Sequence, residues 1–125
     1  MTPKEIRNEK LAQKLIKNLQ RRNFNAYYCS SSAQAIEKIM QLMPEGSTVT
    51  WGGTMTLRDM GLIQALHDSN AYKLYDRDKA TDREAVSEIY VKAFTADYFL
   101  SSANAISEDG VIVNIDGNGN RVAAI

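Results

Sequence analysis

Apolar positions recur at helical spacing through the start of the chain. Leu11, Ala12, Leu15, Ile16 and Leu19 make one stripe, and Lys10, Lys14, Lys17 and Arg21 line another face. Thr2-Pro3-Lys4-Glu5 supplies the helix start: Thr as cap, Pro in the first helical position, Glu three residues after the cap. The cations towards the end of this helix complement its dipole and read as a solvated face rather than a phosphate or nucleic-acid patch. The pattern then shortens. Phe24–Cys29 reads as a strand, and Ser31-Ser32-Ala33-Gln34 caps a second helix whose inner face is Ala35, Ile36, Ile39, Met40 and Met43. Pro44-Glu45-Gly46 stops that helix, and Ser47–Trp51 is the next strand. Gly52-Gly53-Thr54 follows at once. Thr56-Leu57-Arg58-Asp59 fits a capped helix start, and Gly61 breaks this helix before Leu62–His67. Tyr72–Tyr75 is a further strand, Thr81-Asp82-Arg83-Glu84 a further capping box, and Ala85, Val86, Ile89, Ala93 and Phe94 the stripe behind it.

The end of the chain is different in kind. Tyr98–Leu100 and Val111–Ile115 are strand-like runs around a polar segment, Ser101–Gly110, in which Glu108-Asp109-Gly110 is turn chemistry. A second turn, Asp116-Gly117-Asn118-Gly119-Asn120, precedes Val122–Ile125, which is placed to pair back as another strand. Helices alternating with short apolar strands predict an α/β fold of three layers, with a mostly parallel sheet that ends in an antiparallel hairpin. In parallel sheets ligands gather outside the carboxyl ends of the strands. Those ends carry Ser30 and Ser31, Gly52 to Thr54, Asp76, and Ser102 to Asn104, all small or polar. Their convergence points to a ligand site more strongly than any one motif.

Composition narrows the classes. At 125 residues with no repeat, linker or low-complexity tract, the chain reads as one domain, 1–125, able to bury a core. Fifteen basic and fifteen acidic side chains give no net field favouring nucleic acid or an anionic membrane. Apolar runs are too short to span a bilayer, and the first ten residues are too charged for a signal peptide, so a cytoplasmic protein is expected. One cysteine, Cys29, makes no internal disulfide and holds no iron–sulfur cluster alone; it reads as a core residue rather than a nucleophile.

The candidate chemistry is spare. A strand ending in two glycines before a helix lets bare amides face an anion, so Gly52, Gly53 and Thr54 are candidate ligand-binding residues, with Asp76, Ser102 and Asn104 at neighbouring strand ends. The loop is neither a Walker A motif nor a dinucleotide fingerprint, lacking the Lys and the third glycine. Glu108 and Asp109 are the acid/base candidates because either carboxylate follows the site strand closely, although Glu-Asp-Gly is also an ordinary hairpin turn. His67, beside Asp68, reads as a helix-end cation or surface residue. Asn114-x-Asp116-x-Asn118-Gly119 has the outline of a calcium loop, but its first position is Asn and its twelfth is Ile125, so a glycine-rich turn is the reading and no metal is expected.

Two segments carry a resemblance. S-S-A-N-A-I-S-E-D-G-V-I-V-N-I-D-G-N-G-N-R-V-A-A resembles the signature of the lactate-utilisation (LUD) domain family, related to bacterial LutC-type proteins, and W-G-G-T-M-T-L-R-D-M-G-L resembles that family's upstream glycine motif. The resemblance covers essentially the whole chain. It implies a fold like that of the NagB, ribose-phosphate isomerase and CoA-transferase superfamily. It also implies an accessory role in oxidation of L-lactate to pyruvate, alongside iron–sulfur partner proteins, with no cofactor in this chain and a phosphate- or CoA-like ligand as the analogous occupant. Three readings follow: an accessory protein with a small anionic-ligand site, a non-catalytic docking subunit for iron–sulfur redox partners, or a sugar-phosphate or CoA-ester enzyme by fold kinship. Family members ordinarily continue past Val122-Ala123-Ala124-Ile125, so a short member or a truncated chain is expected, with an apolar sheet edge that favours a homo-oligomer.

Overall fold

The computed structural model describes residues 2–52, 55–76, 79 and 82–114. The chain divides into two compact units. One contains the residues up to Ala35 with Ala103–Asn114, the other Ile36–Ser102.

The first unit is built on α1, Pro3–Arg21. Its start is the capping box expected from the sequence: Glu5 N donates to Thr2 Oγ1 at 3.2 Å, and Thr2 N donates to Glu5 Oε2 at 2.7 Å. Ala12, Leu15, Ile16 and Leu19 are half-buried, while Lys10, Lys14, Lys17 and Arg21 are exposed. The helix ends as Asn23 takes a positive φ of 67° and Phe24 N donates back to Leu19 O. Phe24–Cys29 is not a strand. Extended residues become a strand only when a neighbouring backbone pairs with them, and this segment has no ladder partner among the described residues. Phe24, Tyr27 and Tyr28 are exposed, and Cys29 is half-buried rather than a core residue.

Across from α1 in this unit lies a hairpin. Its strands pair antiparallel, Ala105 with Val113 and Ile106 with Ile112, and the ladder is extended by Asn104 N to Val113 O and Ser107 N to Val111 O. The strands turn at Glu108-Asp109-Gly110, as the sequence indicates, with Gly110 at φ 86°. The proposed strand Val122–Ile125 and the turn at 116–120 lie outside the described residues.

In the second unit a parallel sheet carries the core. Its strands are β1 (Thr48–Trp51), β2 (Lys73–Tyr75) and β3 (Tyr98–Leu100), in the order β2-β1-β3. The hairpin strands Ala105–Ile106 (β4) and Ile112–Val113 (β5) form a separate two-stranded sheet. The chain is therefore α/β with a parallel sheet and an antiparallel hairpin end. β1 is central and reads as a continuously apolar or β-branched run because both its neighbours are parallel. Val49 and Thr50 have no exposed surface, and Trp51 has 3 %. Thr50 satisfies its buried hydroxyl by donating to Tyr75 O at 3.0 Å.

The connections are helical: α2 (Ser32–Leu42), α3 (Met55–Asp59), α4 (Leu62–Ser69) and α5 (Arg83–Lys92). Ser31 caps α2 by accepting from Gln34 N, and Asp82 caps α5 by accepting from Ala85 N at 2.7 Å. Thr56 does not cap α3, because the helix already includes Met55. Gly61, at φ 89°, makes the break between α3 and α4 that the sequence signals. Met43, Val49, Trp51, Leu57, Leu62, Ile63 and Leu66 form the buried core, with Ile36, Ile39, Met40 and Leu74 packed against it. Tyr72, just before β2, reaches the end of α2: its hydroxyl is 3.1 Å from Met40 O and 2.9 Å from Met43 O.

Candidate functional site at the carboxyl edge of the parallel sheet

Register decides which residues meet. Thr50 lies opposite both Tyr75 and Phe99, and Trp51 opposite Leu100. All three strands run the same way, so Gly52, Asp76 and Ser101 leave the sheet at one edge. Gly52 N donates to Leu100 O at 3.2 Å, extending the β1–β3 pairing to that edge, and Ser101 Oγ donates to Ser102 O at 2.8 Å. Gly52, Asp76 and Ser102 thus come together in one unit. Gly53 and Thr54 lie outside the described residues. Asn104 belongs to the other unit, where its amide opens the hairpin ladder.

At this edge the structure adds a residue the sequence reading set aside. His67, in the last turn of α4, places Nε2 2.8 Å from Asp76 Oδ2. The Asp76 side chain is only 9 % exposed and that of His67 26 %. With Asp76 as the acceptor, Nε2 carries the proton of this bond, and in the neutral ring the lone pair then lies on Nδ1. Among the described residues Nδ1 has no hydrogen-bond partner. The Trp51 ring meets the imidazole edge to face at 6.2 Å. The sequence signal was available in outline: a helix-end His followed by a short strand that Asp76 directly succeeds. What could not be read was that the chain between them folds back far enough to join them.

The pair sits between two depressions that share His67, Asp76 and Lys79. The larger, about 460 Å³, is also lined by Arg58, Ile63 and Gln64. Arg58 and Lys79 bring two cations to its lining and Asp76 one carboxylate, which the imidazole bonds. α3 has only five residues, so the helix-dipole attraction expected after Gly53 is small beside these side chains. The lining thus joins two cations, a carboxylate and the imidazole bonded to it.

Glu108 and Asp109 occupy the hairpin turn of the first unit. Glu108 Oε2 is 3.1 Å from Lys14 Nζ, and both side chains are well exposed. The two backbone carbonyls are also held by α1: Asn18 Nδ2 donates to Glu108 O at 2.7 Å and Arg22 Nε to Asp109 O at 3.1 Å. No group of three or more potential metal ligands occurs among the described residues, and no helix among them is long and apolar enough to cross a membrane.

No curated protein and no solved structure matches this chain. The family model of the LUD domain does, over residues 12–125, which takes in both the Gly52-Gly53-Thr54 segment after β1 and the whole of the signature segment that begins at Ser101. The chain belongs to the LUD domain family, the domain of lactate utilisation.

Proposed function

We propose that the chain is an accessory protein of L-lactate utilisation, acting in the cytoplasm, whose parallel-sheet edge binds a small anion. The observation that carries this reading is the convergence of Gly52, Asp76 and Ser102 beside a cleft lined by Arg58, His67 and Lys79. Gly53 and Thr54, next in sequence, extend the candidate ligand-binding set. The cations neutralise a carboxylate or phosphate, and Gln64 offers an uncharged donor for an adjacent oxygen. A 2-hydroxy or 2-oxo acid fits this chemistry, as does the phosphate end of a CoA-like molecule. Isothermal titration with lactate, pyruvate, inorganic phosphate and CoA tests the reading: one of these must bind, and Arg58→Gln must weaken it about tenfold or more. Absence of binding by all four would overturn it.

A second reading, a docking subunit for iron–sulfur redox partners, draws on one observation. Val91, in the last turn of α5, and Phe94, just past its end, are 67 % and 62 % exposed, and large apolar side chains so placed favour a protein contact. Replacing both by Ser while leaving the cleft intact separates the readings: loss of copurifying iron–sulfur protein with ligand binding retained supports docking. Unchanged copurification removes that basis for it.

A further inference from the structure

The His67–Asp76 pair carries more than a tether. The geometry points to His67 as a general base acting on the carbon acid of a small 2-oxo acid held in the Arg58–Lys79 cleft, with Asp76 as its positioning residue. This inference rests on the anion-site reading and adds a reaction to it.

Three features carry it. The Asp76 carboxylate is nine-tenths buried, so it is fixed, and it holds Nε2–H at 2.8 Å. When Nε2–H donates in that hydrogen bond, the neutral ring carries its lone pair on Nδ1, where it can act as a base. The ring is also confined by the edge-to-face contact with Trp51, yet it remains a quarter exposed and lines the cleft. A residue needed only to join α4 to β2 would not also have to line a cleft that carries Arg58 and Lys79.

The step balances without a co-reactant. Nδ1 takes a proton from the carbon beside the keto group. The C–H electron pair becomes the C=C bond, and the carbonyl π pair moves onto oxygen. The resulting enolate lies in a cleft whose cations, Arg58 and Lys79, oppose its charge, while Asp76 opposes the imidazolium. Return of a solvent-derived proton regenerates the 2-oxo acid.

The test uses the full chain and pyruvate in D2O, following loss of the methyl proton signal by NMR. Wild type is expected to exchange faster than buffer alone. His67→Gln is expected to lose about a hundredfold of that rate, yet to melt like wild type, because the Gln amide can still donate to Asp76. Asp76→Asn, which keeps the imidazole and loses the charge that orients it, should lose at least about tenfold, and it decides the matter if His67→Gln is misfolded. Exchange at the wild-type rate in His67→Gln, or in Asp76→Asn when that variant must decide, overturns the proposal. So does a wild type that exchanges no faster than buffer while pyruvate still binds, a result that leaves the anion site standing. If no anion binds at all, both readings fall together.

Discussion

Thr48 and Asp97 hold each other by two hydrogen bonds: Thr48 N donates to Asp97 Oδ2 at 2.9 Å, and Asp97 N donates to Thr48 Oγ1 at 2.8 Å. The pair ties the start of β1 to the residue before β3. It therefore helps set the parallel register that delivers Gly52 and Ser101 to one edge. Asp97→Ala removes an acceptor at an exposed position, where water can replace it in part. A loss of about 1 kcal/mol is expected, read as a lower urea midpoint at unchanged slope. Thr48→Val should add little to it, since both changes act on one motif.

The hairpin of the first unit depends on Gly110. Its φ is 86°, and a Cβ there would stand 3.1 Å from the Asn18 carbonyl carbon and 3.2 Å from Leu19 N. Those are backbone atoms of α1 and do not swing aside as a side-chain tip would. Gly110→Ala should therefore cost more than the roughly 1–2 kcal/mol of left-handed backbone alone. Amide exchange is the measurement: Asn104 and Ser107, which donate across the hairpin, should lose protection in this variant.

Leu66 and Val91 make a matched comparison in the second unit. Leu66 is wholly buried in the core, and Val91 is 67 % exposed. Leu66→Ala is expected to cost about 2–5 kcal/mol through lost burial and the cavity left behind. Val91→Ala should stay within about 0.5 kcal/mol. Equal effects in chemical denaturation would contradict the placement of the core.

The Glu108–Asp109 turn yields a test of the acid/base candidates read from the sequence. Lys14 and Glu108 are each 60 % exposed, so their ion pair should be worth less than about 1 kcal/mol. The backbone carbonyls of 108 and 109, which Asn18 and Arg22 grip, survive side-chain replacement. The double change Glu108→Ala and Asp109→Ala is thus expected to leave folding and anion binding essentially unchanged. A large loss of lactate-dependent growth in the host, with the protein folded, would return these carboxylates to the mechanism.

Local signals in the sequence were read correctly where the physics is local. The Thr2 capping box, the left-handed Gly61 and the turn at Gly110 each depend on a few adjacent residues. Strands depend on distant partners: Tyr98–Leu100 has one in β1, while Phe24–Cys29 has strand composition but no ladder neighbour among the described residues. Thr56 fits a cap pattern but lies inside a helix that starts one residue earlier. The carboxyl-edge residues Gly52, Asp76 and Ser102 were legible because parallel strands place their ends together by rule. His67 was not, because its role comes from a contact with Asp76 that only the folded crossover creates. Arg58 and Lys79 were hidden likewise, as ordinary surface cations until α3, α4 and the residue after β2 surround one cleft.

The measurement that tests the central claim most directly is a thermal-shift titration of the full chain with lactate, pyruvate, phosphate and CoA, run beside Arg58→Gln and the Glu108→Ala, Asp109→Ala double variant. A ligand at about 100 times its dissociation constant adds roughly 2.7 kcal/mol, a rise of several degrees in a domain of this size. The account predicts that at least one anion raises the melting temperature of wild type and of the double variant, and that at the same concentration Arg58→Gln cuts the rise by about half or more. A rise undiminished in Arg58→Gln, or one that vanishes in the double variant, would place the site elsewhere and contradict the account.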